Sequence, residues 1–302
     1  MPGRGRRMQT PNLRHQLERG ELIVAPGVFD MMSVLVANRV GFDAVYASGY
    51  WLTASYLGLP DAGLATYTDM LNRVSAVCEH AQSPVIADAD TGYGGLLNVR
   101  HTVRGFERAG VAAIQIEDQE FPKQCGHVGT RRVIPTPDMV DKIHLALDTR
   151  TDDNMLLIAR TDARSGLGFE EALERGSAYA EAGADIVFLE ALDSESEMQL
   201  ACQQVDAWMM ANMAEGGATP MLNASTLQRL GYDLAIFPAI SALSAMAAVE
   251  QALHDLKVKG AGAGTGQARF NFEDMCDLLG FDEVRAFESK WVARGAYDST
   301  EK

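Results

Sequence analysis

The stretch EDQEFPKQCGH (residues 117–127) closes an apolar run with two acids, then crowds Lys123, Cys125 and His127 around Gly126. Cationic neighbours stabilise a thiolate, so this thiol is equipped to give or take a proton. A covalent Cys–His nucleophile is the other chemistry the trio allows. Cys78, Cys202 and Cys276 have no such flanks and read as small buried hydrophobes. A second set is carboxylate. Asp88 and Asp90 in DADTGYGG are separated by one residue, so a continuing strand would turn both to one face, and Glu117 ends another apolar run. Hard oxygen donors of this kind suit Mg2+ or Mn2+; the competing reading is an Asp-rich turn that caps the next helix. Arg160 ends a further apolar run and stays protonated, so it needs an anion: Glu190, Asp162 or a substrate carboxylate. Ser48 and Gly49 offer a hydroxyl and approachable amides for another carboxylate. An acyl-transfer site would leave the carboxylates unexplained. A metal that polarises a hydroxy or oxo acid, with a thiol placed to exchange a proton with carbon, accounts for both sets.

These residues need elements that bring them to one place. Short apolar runs recur at ELIVAP (21–26), DAVYAS (43–48), PVIADA (84–89), AAIQIE (112–117), MLLIAR (155–160), DIVFLE (185–190), AWMMAN (207–212) and LAIFP (234–238). Between them lie segments with helical spacing, such as LLNVRHTVRGFERAG and FEEALERGSAYAEAG, each ending in an Ala-Gly that suits a C-terminal cap. Continuous rather than alternating apolarity indicates strands buried on both faces, as in a parallel sheet covered by helices. Eight such β-then-α units imply a TIM-type (β/α)8 barrel. A doubly wound open sheet would show a glycine-rich phosphate fingerprint after its first strand, and PGVFD is not one. Chemistry in barrels sits where the strands end, and these strands end in SGY (48–50), DAD (88–90), ED (117–118), Arg160, Glu190 and Asn212.

Composition narrows the partners. The 302 residues are 47% hydrophobic, and no apolar run is long enough to span a bilayer. A formal charge of −15 argues against a nucleic-acid surface, while leaving room for an anionic substrate beside a local cluster of cations or a metal. The scattered cysteines suggest neither a disulfide framework nor a zinc site, so a reducing cytoplasm is expected. Residues 1–12 read as a basic tail, 13–259 as the barrel, and 260–302 as a linker (GAGAGTG) with a helical extension.

At these residues the chain resembles the isocitrate lyase / phosphoenolpyruvate mutase superfamily. PGVFD (26–30), YASGYWLTAS (46–55), DADTGYGG (88–95), EDQEFPKQCGH, RTDA (160–163), NMAEGGATP (212–220) and FP (237–238) follow one another in the family's order. The resemblance implies a Mg2+-dependent barrel acting on small α-oxo or α-hydroxy carboxylates. It also implies a homotetramer in which C-terminal helices, from residues past 265, are exchanged between subunits. Within the superfamily, enzymes of P–C bonds lack the thiol, whereas lyases carry K-x-C-G-H, matched here by Lys123, Cys125, Gly126 and His127. The matching Cys is the acid that protonates the enolate-like carboxylate left by cleavage. The resemblance implies that the matching carboxylates Asp88 and Asp90 hold Mg2+, directly or through water, with Glu117 assisting. Ser48, Gly49, Tyr50, Gly126, Arg160, Glu190 and Asn212 would then contact substrate. Two departures concern the substrate. NMAEGG replaces the N-x-T-E-F-G of isocitrate and 2-methylisocitrate lyases, and Ser244 stands where the latter place an Arg for a third carboxylate.

The expectation is therefore a Mg2+-dependent carbon–carbon lyase for an alkyl-substituted 2-hydroxy dicarboxylate such as 2,3-dimethylmalate. Cleavage would give an oxo acid such as pyruvate, with Lys123, Arg160 and His127 screening the charge that develops. Tyr46 and a metal-bound water are the two candidates for taking the hydroxyl proton. The rivals are an oxaloacetate hydrolase or decarboxylase, a 2-methylisocitrate lyase, a P–C bond enzyme, which Cys125 disfavours, and a barrel that merely binds a dicarboxylate.

Overall fold

The computed structural model describes residues 12–123, 131–260 and 269–292. Eight parallel strands close a barrel in sequence order: β1 (Ile23–Val28), β2 (Val45–Ala47), β3 (Val85–Asp88), β4 (Ala113–Glu117), β5 (Leu156–Thr161), β6 (Ile186–Leu189), β7 (Trp208–Asn212) and β8 (Leu234–Phe237). All eight lie within about two residues of the apolar runs in the sequence. The largest difference is at β1, which starts at Ile23 and runs on to Val28. There it closes against β8, and a Cβ on Gly27 would lie 2.1 Å from the Pro238 carbonyl oxygen, so only glycine fits.

The helices in chain order are α1 (Leu13–Leu17), α2 (Met31–Val40), α3 (Gly49–Leu57), α4 (Tyr67–His80), α5 (Leu96–Ala109), α6 (Thr136–Thr149), α7 (Arg164–Leu167), α8 (Phe169–Glu181), α9 (Glu195–Gln204), α10 (Ala224–Leu230), α11 (Ile240–Lys259), α12 (Phe272–Leu278) and α13 (Phe281–Val292). The expected Ala-Gly stops are present: α5 ends on Gly110 in the left-handed region, and Gly183 past α8 also has positive φ. No helix among the described residues is long and apolar enough to cross a membrane.

Because strand side chains alternate, the two faces of each strand feed two separate cores. Val45, Val85, Ile114, Ile116 and Leu157 face outward and pack with helix residues such as Val74, Phe106, Ile143 and Tyr179. Tyr46, Ile86, Ala113, Ile158, Phe188, Met210 and Ile236 fill the barrel interior. Leu13 and Leu17 of α1 join that interior cluster, and Arg14 pairs with Asp185 (2.6 Å) just ahead of β6, so α1 plugs the N-terminal end. Following the inward face toward the other end, period two carries Tyr46 to Ser48, Ile86 to Asp88, and Ala113 through Gln115 to Glu117. The same step carries Ile158 to Arg160, Phe188 to Glu190, and Met210 to Asn212. The polar strand ends of the sequence are thus one inward-facing layer stacked above an apolar one.

The described residues divide into two compact units, with the boundary between Ser244 and Ala245, inside α11. The second unit contains the rest of α11, α12 and α13.

Candidate active site

A cavity of about 290 Å³ opens at the C-terminal ends of the strands, with Ser48, Asp88, Glu117, Arg160, Glu190 and Asn212 in its wall. Ser48 is the N-cap of α3 but makes no side-chain cap bond, which leaves its hydroxyl to the cavity. Tyr50 and Trp51 follow it and also line the space, their rings in an edge contact at 4.7 Å.

Asp88 ends β3, and its Oδ2 accepts from the Gly49 amide (3.2 Å) while Oδ1 accepts from the Asp90 amide (3.0 Å) and Gln115 Nε2 (3.4 Å). The Gly49 amide, expected from sequence to face a substrate carboxylate, is therefore committed to Asp88. A Cβ at Gly49 would come within 2.7 Å of Asp88 Oδ2 and 3.3 Å of Asp90 Oδ1, which also places the two carboxylates side by side. Their proximity does not come from a continuing strand. β3 stops at Asp88, and Asp90 turns back through the left-handed region at φ 51°.

Lys123 is buried and its ammonium hydrogen-bonds Asp61 Oδ2 (2.9 Å) and pairs with Asp90. The surrounding carboxylates Asp90, Glu117, Asp88 and Asp61 hold it charged, against the effect of burial. Asp90 is pushed up to about 7, because burial of the carboxylate and the like charges of Asp88 and Asp61 outweigh the attraction of Lys123. Burial likewise drives Glu117 well above the usual carboxylate range, with Asp162 and Asp88 adding to it and Arg160 opposing.

Arg160 gathers every partner expected of it within the protein. Its Nε and Nη2 fork onto Asp162 (3.0 and 2.8 Å), Glu117 Oε2 lies 3.4 Å from Nε, and Glu190 Oε2 lies 3.6 Å from Nη2. The guanidinium also sits over Phe188, 5.1 Å from the ring centre. Asp162 is shared with the buried Arg131. Asn212 Nδ2 donates to Glu190 Oε2 (3.0 Å), while Asn212 Oδ1 and Glu117 Oε1 are buried with no hydrogen-bond partner among the described residues.

Tyr46 does not suit the role of base. Its phenol donates to Gln115 Oε1 (3.1 Å), and burial together with the Asp88 charge raises its pKa well above the ordinary value, so it stays protonated. Cys125, Gly126 and His127 lie outside the described residues. The stems on either side of that loop pair at the barrel mouth: Gln119 bridges Val133, the Glu120 amide donates to the Arg132 carbonyl (2.9 Å), and the Ile134 amide to the Asp118 carbonyl (2.8 Å).

Asp88, Asp90 and Glu117 do not converge as a ready-made trio; among the described residues no three acidic, His or Cys side chains form such a group. Asp90 is drawn to Lys123 and Glu117 to Arg160. The residues nevertheless fit a divalent cation. Among the described residues, the buried carboxyl groups of Asp61, Asp88, Asp90, Glu117, Asp162 and Glu190 outnumber the cations near them, Lys123, Arg131, Arg160 and Lys142, and Glu117 keeps one oxygen without a partner. Mg2+ usually takes one or two protein carboxylates and fills its remaining positions with water, so Asp88 and Asp90 suffice.

Sequence reasoning missed Asp61, Gln115 and Gln119. Gln115 had a readable signal, a lone amide two residues before Glu117 on the inward face of an apolar run. Asp61, in a loop reading Leu-Pro-Asp, had none.

The chain matches the phosphoenolpyruvate phosphomutase family over residues 13–257. It is 45% identical to 2,3-dimethylmalate lyase of Eubacterium barkeri over 93% of this chain and 97% of that one. It is 42% identical to 2-methylisocitrate lyase of Aeropyrum pernix over 94% and 91%. Among solved structures, an oxaloacetate acetylhydrolase in complex with 3,3-difluorooxalacetate superimposes with a TM-score of 0.88 at 32% identity, over 95% of this chain and 97% of that one. A phosphonopyruvate hydrolase complex with oxalate and Mg++ does so with 0.84 at 28% identity, over 93% and 98%. This (β/α)8 barrel belongs to the phosphoenolpyruvate mutase / isocitrate lyase superfamily.

Proposed function

We propose that the protein is a Mg2+-dependent carbon–carbon lyase of 2-hydroxy dicarboxylates bearing alkyl groups, with 2,3-dimethylmalate as the type of substrate. The observation that carries this reading is the apolar part of the cavity wall. Ile236, Pro238, Ala239, Ala214 and Leu243 line it, together with Tyr50 and Trp51; Glu215 is the charged residue beside them, and Ser244 is not among the lining residues. A third carboxylate set against that wall would meet no cation among the described residues, at a cost of several kcal/mol, whereas methyl groups would gain from it. The resemblance to 2,3-dimethylmalate lyase agrees with this preference.

Asp88 and Asp90 would hold the cation, with Glu117 at hand through its free oxygen. The bound metal supplies Lewis acidity, favouring ionisation of the substrate hydroxyl and the carbonyl it becomes. The protein's own groups do the rest. Arg160 and Lys123 present fixed positive charge to a dicarboxylate whose charge shifts as the C2–C3 bond breaks, and they need no reorganisation because buried carboxylates already hold them. The hydroxyl oxygen passes its proton to a water in the cavity, and the O–H electron pair becomes the second C–O bond of the oxo acid's carbonyl. The C2–C3 electron pair passes to C3 as an enediolate, and Cys125 gives that carbon its proton. For 2,3-dimethylmalate the products are pyruvate and propionate. Tyr46, kept protonated, orients Gln115 and through it Asp88.

The exposed Phe272, Phe281, Val284, Phe287 and Trp291 of α12 and α13 support a homotetramer that exchanges these helices between subunits, a state that light scattering would test directly. The three described cysteines are free, in keeping with a reducing cytoplasm.

Relative kcat/KM on 2,3-dimethylmalate, oxaloacetate and 2-methylisocitrate tests the substrate assignment. Preference for the first is expected; a preference for oxaloacetate would turn the reading to a hydrolase, and one for 2-methylisocitrate would show that a third carboxylate is accommodated.

A further inference from the structure

The turn that carries Asp90 is an unusual piece of backbone. Asp90 and Tyr93 lie at φ 51° and 60°, and Gly92 and Gly94 at 86° and 142°, so four of five successive residues occupy the half of backbone space that L side chains avoid. Such a conformation persists only where its surroundings over-determine it. The carbonyls of the turn show what does so. Ala89 O accepts from the Gly92 amide (2.9 Å) and Asp90 O from the Glu117 amide (2.9 Å). Thr91 O accepts from Lys142 Nζ (3.0 Å) and Gly92 O from Thr102 Oγ1 (3.2 Å). The first two bonds are backbone pairings within the turn and to β4. The other two come from side chains on α6 and α5, both buried, and neither lines the cavity.

Lys142 is a costly choice for that position. It projects from the α6 face that also buries Met139, Ile143 and Ala146, and burial lowers its pKa against the pull of Asp118, Glu117 and Asp138. Packing α6 against the barrel does not require an ammonium there. Fixing the carbonyl next to Asp90 does require a donor that can reach it.

We infer that Lys142 and Thr102 are positioning residues: acting through the Thr91 and Gly92 carbonyls, they hold the turn in the conformation that sets Asp90 beside Asp88 at the cavity. The consequence for cation binding rests on the proposed role of those two carboxylates; the bracing itself does not.

Thr102→Val and Thr102→Ser form the decisive pair, since they differ in the hydroxyl at little cost in volume, and Lys142→Met tests the other brace. Two readouts separate the two halves of the inference. Hydrogen exchange of the metal-free protein over residues 88–95 reports the turn, with β5 to β7 as the internal reference. Displacement of the Mn2+ spin-resonance signal reports cation binding. Thr102→Val is expected to exchange roughly tenfold faster in that segment alone and to bind Mn2+ roughly five- to tenfold more weakly, the effect of one buried hydrogen bond. Thr102→Ser should behave as the wild type, and Lys142→Met should show a larger effect that compounds with Thr102→Val.

Wild-type exchange in both Thr102→Val and Lys142→Met would overturn the inference, as would equal loss in Thr102→Val and Thr102→Ser. If Lys142→Met fails to fold, the Thr102 pair decides. If the wild type itself does not bind Mn2+, the metal reading fails and exchange alone decides the brace.

Discussion

Replacing Asp90 with Asn should make the metal-free protein more stable while removing its activity. Asp90 is buried and its carboxyl titrates at about 7 in the fold, against an ordinary value of 3.8. A carboxyl whose folded pKa is raised costs nothing below its unfolded value, and the penalty grows as pH rises until both states are ionised. A shift of about three units corresponds to about 4 kcal/mol of lost stability at pH 8, and to about 1 kcal/mol at pH 4.5. Asn removes that penalty, keeps the shape, and tolerates the left-handed backbone at φ 51°. For a chain of this length each kcal/mol moves the Tm by about 2 °C. The chelator-treated variant is therefore expected to melt roughly 8 °C above the wild type at pH 8, a gap that shrinks to roughly 2 °C at pH 4.5. Calorimetry at the two pH values measures both gaps. A variant less stable than the wild type at pH 8, or a gap independent of pH, would refute the claim that the carboxylate cluster stores unfavourable charge for a cation.

The same titration predicts that Mg2+ affinity falls by about tenfold per pH unit below 7, as protons compete for Asp90; isothermal titration between pH 5.5 and 8 checks the slope. Tyr179→Phe removes a 2.7 Å donor to buried Asp118, which keeps bonds from Thr161 and the Asp162 amide. A loss of about 1.5–3 kcal/mol in urea unfolding is expected, with kcat little changed. Leu243→Ala thins the apolar wall and should raise KM for 2,3-dimethylmalate by roughly tenfold, with no comparable change for unsubstituted malate analogues. Cys125→Ser should abolish turnover while Mg2+ binding, read by titration, stays at the wild-type level.

The barrel was legible because burial on both faces leaves strands continuously apolar, and because the residue that breaks each run marks the strand's end. Arg160, Glu190 and Asn212 were found in this way, and period two along each strand brings them to one layer. The reasoning failed where geometry depends on the loops. A continuing strand would have put Asp88 and Asp90 on one face, but the strand stops and the pair is made by a left-handed turn whose conformation local spacing does not announce. Lys123 was expected as a flank of the thiol, but of the two partners that fix it, Asp90 and Asp61, the second comes from a loop sixty-two positions earlier, a separation no short-range pattern encodes. Gly49 was assigned to substrate because a glycine signals close approach; the approach is real, but it is to Asp88. Ser244 was singled out as standing where 2-methylisocitrate lyases place an Arg; its neighbour Leu243, which the sequence reading passed over, is the residue of that segment on the cavity.

The lyase assignment turns on pyruvate release from racemic 2,3-dimethylmalate, coupled to lactate dehydrogenase and run with Mg2+ or with EDTA. Pyruvate formed with Mg2+ and absent with EDTA is the result expected of a metal-dependent lyase for alkylmalates. No pyruvate in the presence of Mg2+, from folded protein, would contradict it.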